Sequence, residues 1–263
     1  MISSFLEYIS ESSHPGGSRA VEYANDVINL IKRQASPGGD YVEIRELEYN
    51  DDHQFDLVIK VRWDSNPNMA QDEHFNKLTW EKINFDRYGF AVDANMKIDN
   101  QDLVVPKVTI ILILNPDRDP DLYSELKYRL VDIITHELYH TRQIGWNRHP
   151  FNVRPSSNKA RKEAKHSFKY FLLPDEVDSM VNGMYARSKE QDIPIDQVFD
   201  KYLIPFIQSG KITKEQYFKV LKTWVHRTLE LHPDALFTQN SEKIQKIIDL
   251  IFLKMIKVYF FVD

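Results

Sequence analysis

Cysteine is absent from this chain of 263 residues. There is therefore no disulfide framework and no thiolate ligand, and any metal must be held by His, Asp or Glu. The absence also fits a reducing compartment. Long apolar runs are missing too. The longest, VTIILIL from Val108 to Leu114, is far too short to span a bilayer as a helix. The opening MISSFLEYISESSHPGGS has no basic start followed by an apolar stretch, so no secretory signal is expected. Charge of one sign does not dominate. A net charge of -5 makes no global electrostatic case for nucleic acid or an anionic membrane. The glycine pairs at 16–17 and 38–39 are not followed by Gly-Lys-Ser/Thr, so they read as turns rather than a phosphate loop. No internal repeat and no low-complexity segment occurs. What is present is ordinary: 42% hydrophobic and 28% charged residues, the make-up of a soluble globular protein. The expectation is a cytoplasmic protein with neither nucleic acid nor membrane as partner.

The first half mixes helix and strand. Ser18 to Gln34 places Val21, Ala24, Val27, Ile28 and Ile31 at helical spacing, with Ser18 as the N-cap. YVEIRELEY (Tyr41 to Tyr49) and FDLVIKVRW (Phe55 to Trp63) alternate apolar and polar residues, as half-buried strands do, and NDDHQ between them suits a hairpin. LTWEKINF (Leu78 to Phe85) and GFAVDANMKI (Gly89 to Ile98) are further strand candidates. VTIILIL is apolar enough for a strand buried on both faces. After Pro120 the period becomes helical, and Leu122, Leu126, Leu130, Ile133 and Ile134 share one side. Pro174 to Gln191 opens with Pro and two acids, a good helix start. The remainder is helical. Strands first and helices later predict an α+β protein. We expect a domain over 1–195 and a helical extension over 196–263 packed on it.

The stretch VDIITHELYHTRQIGW (Val131 to Trp146) carries the chemistry. His136 and His140 are four residues apart, so a helix puts both imidazoles on one face, able to reach one ion. Glu137 is turned by roughly 100°, bordering the metal without having to bind it, the position of a general base beside a metal-bound water. With 9 His and 16 Glu, such a pattern arises by accident in roughly 2% of shuffled sequences. Its place in a long helical segment after an apolar strand raises its weight. A catalytic zinc usually has three protein ligands, so a third is needed. A HExxHxxGxxH site is rejected: Gln143 stands where Gly is required and Trp146 where the third His would be, and His149 is too far on.

HELYH, followed some thirty residues later by LLPDEVDSMVNGMY, resembles the gluzincin-like zinc metallopeptidases, including small ones carried by bacteria and bacteriophages. The resemblance covers roughly Val108 to Arg187. It implies a zincin-like fold with an active-site helix and an antiparallel glutamate helix, one zinc ion, and a protein or peptide substrate. It implies His136, His140 and Glu176 as ligands and Glu137 as general base on a zinc-bound water. Asp175 and Asp178 compete with Glu176, and the first acid of Glu-x-Asp is the one the family pattern favours. The chain departs from the family in one respect. Some gluzincins orient a zinc histidine through an acid or amide four residues past the ligand glutamate, where Met180 stands here. Asp132, one turn before His136, can serve instead. His166, Tyr170, Tyr185 and Arg187 are candidate oxyanion donors. GFAVDANMKI is the expected sheet edge, along which zincins bind substrate as an added strand. The basic stretch Arg148 to Lys169 reads most simply as a solvated loop leading into a helix. A second expectation is a catalytically idle zincin-fold protein, for example in a viral particle, docking a protein partner through its C-terminal helices.

Overall fold

A computed structural model describes residues 15–34, 41–50, 53–67, 85–97, 107–117, 122–141, 143, 154–164, 167–239 and 241–260. Helix α1 (Pro15–Gln34) precedes strands β1 (Tyr41–Asn50), β2 (His53–Trp63), β3 (Phe90–Lys97) and β4 (Lys107–Leu114). Helices α2 (Leu122–Thr141), α3 (Asn158–Ala164), a 3-10 turn (Phe168–Leu172), α4 (Pro174–Gln191), α5 (Ile195–Gln208), α6 (Lys214–Leu231) and α7 (Glu242–Phe260) follow. The protein is thus α+β, with strands before most of its helices. Helix α1 begins at Pro15 rather than after a Ser18 cap, since Pro at a helix start loses no needed N–H. Of the LTWEKINF segment only Phe85 is described, in a helical turn at 85–88; the rest lies outside the described residues.

The strands form one sheet in the order β1-β2-β4-β3. β1 and β2 pair antiparallel, with Tyr41 opposite Val61 and Asn50 opposite His53, which is the expected hairpin. β2 and β4 are parallel, and β3 runs antiparallel to β4. VTIILIL is therefore central, with a neighbour on either side. Its side chains divide by parity. Val108, Ile110, Leu112 and Leu114 join the core beneath α1 and α2, while Ile111 and Ile113 meet Phe85 and Ala91 on the opposite face. Burial on both faces explains why the run has no polar alternation. β3 lies at an edge among the described strands, as expected for GFAVDANMKI, and packs against α2.

α2 presents Leu126, Leu130, Ile133, Ile134 and Leu138 to the sheet. Its other side meets α4. Pairs along that contact run in opposite order: Glu125 with Arg187, Asp132 with Gly183, His140 with Ser179, and Gln143 with Asp175. The two helices are therefore antiparallel. They approach closely at Gly183, where a Cβ would lie 2.5 Å from the Asp132 carbonyl oxygen. Only glycine permits that approach. α4 in turn contributes Val177, Met180, Val181, Met184 and Tyr185 to a second core with α5, α6 and α7. Trp224 is fully buried there, ringed by Phe171, Phe199 and Tyr202, and its indole N–H donates to the Phe171 carbonyl at 3.0 Å. α4 thus lies between two apolar cores, which fixes the helix that carries Glu176. No helix among the described residues is long and apolar enough to cross a membrane.

Candidate metal centre

The antiparallel contact brings His136, His140 and Glu176 together. The two Nε2 atoms are 3.0 Å apart, and each lies 3.6 Å from Glu176 Oε2. Ligand atoms about 2.0–2.1 Å from one tetrahedral ion are about 3.3 Å apart, so this triangle has the size of a metal site. Among the described residues it is the one group of three His, Asp or Glu side chains able to hold an ion. Two imidazole nitrogens and a carboxylate oxygen converge on one point, and Glu176 is 1% exposed. The residues present therefore fit a metal ion.

Hydrogen bonds around His140 fix its chemistry. Its Nδ1 faces Gln143 Oε1 at 2.8 Å and Ser179 Oγ at 3.1 Å. Gln143 Nε2 donates to the Asp175 carbonyl at 3.1 Å, and Ser179 Oγ donates to the same oxygen at 2.9 Å. Both therefore offer lone pairs to Nδ1, which must carry the proton, leaving Nε2 free to bind an ion. Gln143, noted in the sequence only as the residue that excludes a third-histidine motif, is 1% exposed and wraps back from the end of α2. The expected orienter, Asp132, is used elsewhere. It accepts from Arg129 at 2.6 Å and sits against Gly183.

Glu176 has two further partners. Tyr170 donates to Oε2 at 2.7 Å and Arg161 to Oε1 at 2.6 Å. Arg161 also pairs with Asp175, which accepts from Ser156 as well. The basic stretch thus supplies a specific ion pair as well as solvated charge, and α3 carries it. The competing acids point away: Asp175 is held by Arg161 and Ser156, and Asp178 is gripped by Arg227 at 2.6 and 2.8 Å. Of the oxyanion candidates, Tyr170 is at the cluster. Tyr185 donates to Asp234 and stacks on His232, and Arg187 lies near Glu125 and Asp132. His166 lies outside the described residues.

Glu137 Oε1 lies 4.0 Å from His136 Nε2, bordering the cluster as the spacing predicts. Burial, helped by the charges of Glu176 and Asp93, pushes its carboxyl up to about 7. Burial and the neighbouring His140 hold His136 down to about 3, so its ring is neutral. Burial would raise Glu176, but the bonds and charges of His140, His136 and Tyr170 outweigh it and keep the carboxyl well below the usual range. For His140, burial acts downward but the carboxylates of Glu176 and Glu137 win, raising it. Compared with protein-family models, with curated proteins and with solved structures, the chain matches none of them.

Proposed function

We propose that the chain is a zinc-dependent peptide-bond hydrolase of gluzincin type with a zincin-like domain. The observation that carries this reading is the convergence of His136 Nε2, His140 Nε2 and Glu176 Oε2 beside the buried carboxylate of Glu137. Two imidazoles and one carboxylate are the donor set of a catalytic zinc with a fourth position left open. Zinc held there would act as a Lewis acid, activating a water and polarising the scissile carbonyl. Glu137 takes up the proton of the attacking water at a carboxylate oxygen and delivers it to the leaving amine. Tyr170 is the oxyanion-donor candidate that lies at the cluster among the described residues; its single hydroxyl proton is given to Glu176 Oε2, so it serves the oxyanion by leaving that bond. The edge strand β3, packed on the helix that bears Glu137, supports binding of an extended peptide by backbone pairing.

The test is a peptide-library cleavage assay on zinc-loaded protein, with chelator and Glu137→Gln as controls. Cleavage that is lost with chelator, restored by zinc and absent in Glu137→Gln supports the proposal. Full activity of Glu137→Gln in a clean preparation overturns it.

The Arg161 and Tyr170 bonds to Glu176 favour a second reading, in which the cluster is a buried polar network that satisfies itself without an ion. The chain would then be an interaction protein, with its C-terminal helices as the docking module. Zinc bound tightly at the three ligands, together with peptide cleavage, excludes that reading.

A further inference from the structure

The glutamine at 143 and the serine at 179 have no place in the motif, yet both are wholly buried against the proposed ligand His140. Gln143 is 1% exposed and Ser179 0%. Each is in contact with His140 Nδ1, and each donates to one and the same oxygen, the carbonyl of Asp175. That carbonyl belongs to the residue immediately before Glu176. We infer that Gln143 and Ser179 are positioning residues that lock His140 in its Nδ1–H tautomer and, through the Asp175 carbonyl, tie that choice to the placement of Glu176. The inference rests on the proposed metal site and names what orients it.

The logic is one of proton accounting. The Asp175 carbonyl can only accept, so it fixes the Gln143 amide with Nε2 outward and Oε1 toward the imidazole. It takes the single hydroxyl proton of Ser179 as well, which leaves that oxygen as an acceptor. His140 Nδ1 then faces two acceptors and must carry the hydrogen. Its lone pair is directed at the cluster from Nε2, which lies 3.0 Å from His136 Nε2. Free neutral imidazole in water has no such constraint. The same knot crosses from the end of α2 to the first turns of α4, so it joins the segments that bear His140 and Glu176. Met180, in the place where some gluzincins have an orienting acid or amide, is buried in the second core and leaves this role to its neighbour Ser179 and to Gln143.

The experiment uses full-length chain labelled with nitrogen-15 in histidine. Ring nitrogen shifts are read without metal on the alkaline side of neutrality, and zinc binding is measured by calorimetry. The wild type should show His140 with Nδ1 protonated. Gln143→Glu keeps an acceptor at Nδ1 and should keep that tautomer, while its lost donor loosens the tie to Asp175. Gln143→Leu with Ser179→Ala should give a tautomer mixture and zinc binding about 10- to 100-fold weaker. Far-ultraviolet dichroism checks that each variant is folded, and Ser179→Ala alone supplies a milder version should the double variant unfold. His140 with its ring proton at Nε2 alone in the wild type overturns the inference, as does an unchanged tautomer in the folded double variant; Ser179→Ala and Gln143→Leu measured singly each leave one acceptor at Nδ1 and should keep the tautomer, so Nε2 protonation in either overturns it as well. The shifts are read without metal, so they decide this inference even where the wild type takes up no zinc, a result that counts against the proposed function alone.

Discussion

Replacing Gly183 by alanine tests the contact on which the site's geometry depends. The new Cβ would sit 2.5 Å from the Asp132 carbonyl oxygen, 2.7 Å from its Oδ1 and 3.3 Å from its carbonyl carbon. The closest clash is with backbone in the middle of α2, so no rotamer change relieves it. Relief requires α2 and α4 to part by nearly 1 Å. Overpacking of this kind costs about 3 kcal/mol at the upper end of its usual range. Alanine is the better helix former and returns about 1 kcal/mol. The net loss is therefore about 2 kcal/mol, or a melting point lower by about 4–8 °C in a chain of this size. Ser179, which contacts His140, is one helical turn from Gly183, so the parting reaches the cluster, and zinc binding weakens as well. Thermal unfolding and calorimetric zinc titration measure the two effects. A Gly183→Ala protein as stable as wild type, binding zinc equally well, would refute the close-packing argument.

Trp224→Ala removes the centre of the second core and its bond to Phe171, and should cost about 3–5 kcal/mol by urea denaturation; a loss below 1 kcal/mol would contradict its role. Arg161→Leu leaves Glu176 with fewer partners in the metal-free chain, so it should destabilise that form more than the zinc-loaded form; thermal melts with and without zinc show the difference, and equal losses in both would count against it. Tyr217 and Tyr185 are held by burial and by Asp200 and Asp234, respectively, above the ordinary tyrosine value. Their folded forms keep protons that the unfolded chain gives up, so stability is full below that value and falls as pH rises past it. Tyr217→Phe should make the decline on the alkaline side less steep in denaturant titrations across that range, and an unchanged slope would contradict the assignment.

Much of the site was readable from the sequence because it depends on local geometry. His136 and His140 share a helix face by spacing alone, and Glu137 follows from the same helix. β4 declared itself as a buried strand by its unbroken apolar run. Glu176 needed a resemblance, since an acid in a first helical turn has an ordinary reason to be there. Gln143, Ser179 and Arg161 gave no signal. Ser179 and Arg161 reach the cluster only through the antiparallel packing of α2 and α4 and the placing of α3, contacts between residues 15 to 39 positions apart, and Gln143, three residues from His140, is turned onto it past the end of α2 by its bond to the Asp175 carbonyl. A short polar residue inside a helix looks the same whether it faces water or a histidine. Asp132 shows the converse. It has the right spacing to orient His136, but Gly183 brings the α4 backbone against it and Arg129 takes its carboxylate. The parallel pairing of β2 with β4 likewise depends on contacts that strand patterns alone do not encode.

His136, His140 and Glu176 are proposed to hold one zinc ion. Zinc titration of the metal-free chain, beside His140→Ala and Glu176→Gln, tests it most directly, with X-ray absorption on the loaded protein. The expected result is one ion per chain, two nitrogen ligands near 2.0–2.1 Å and carboxylate oxygen near 2.0–2.2 Å, with uptake lost in His140→Ala and sharply weakened in Glu176→Gln. No zinc uptake by the folded wild type, or uptake unchanged in either variant, would contradict it.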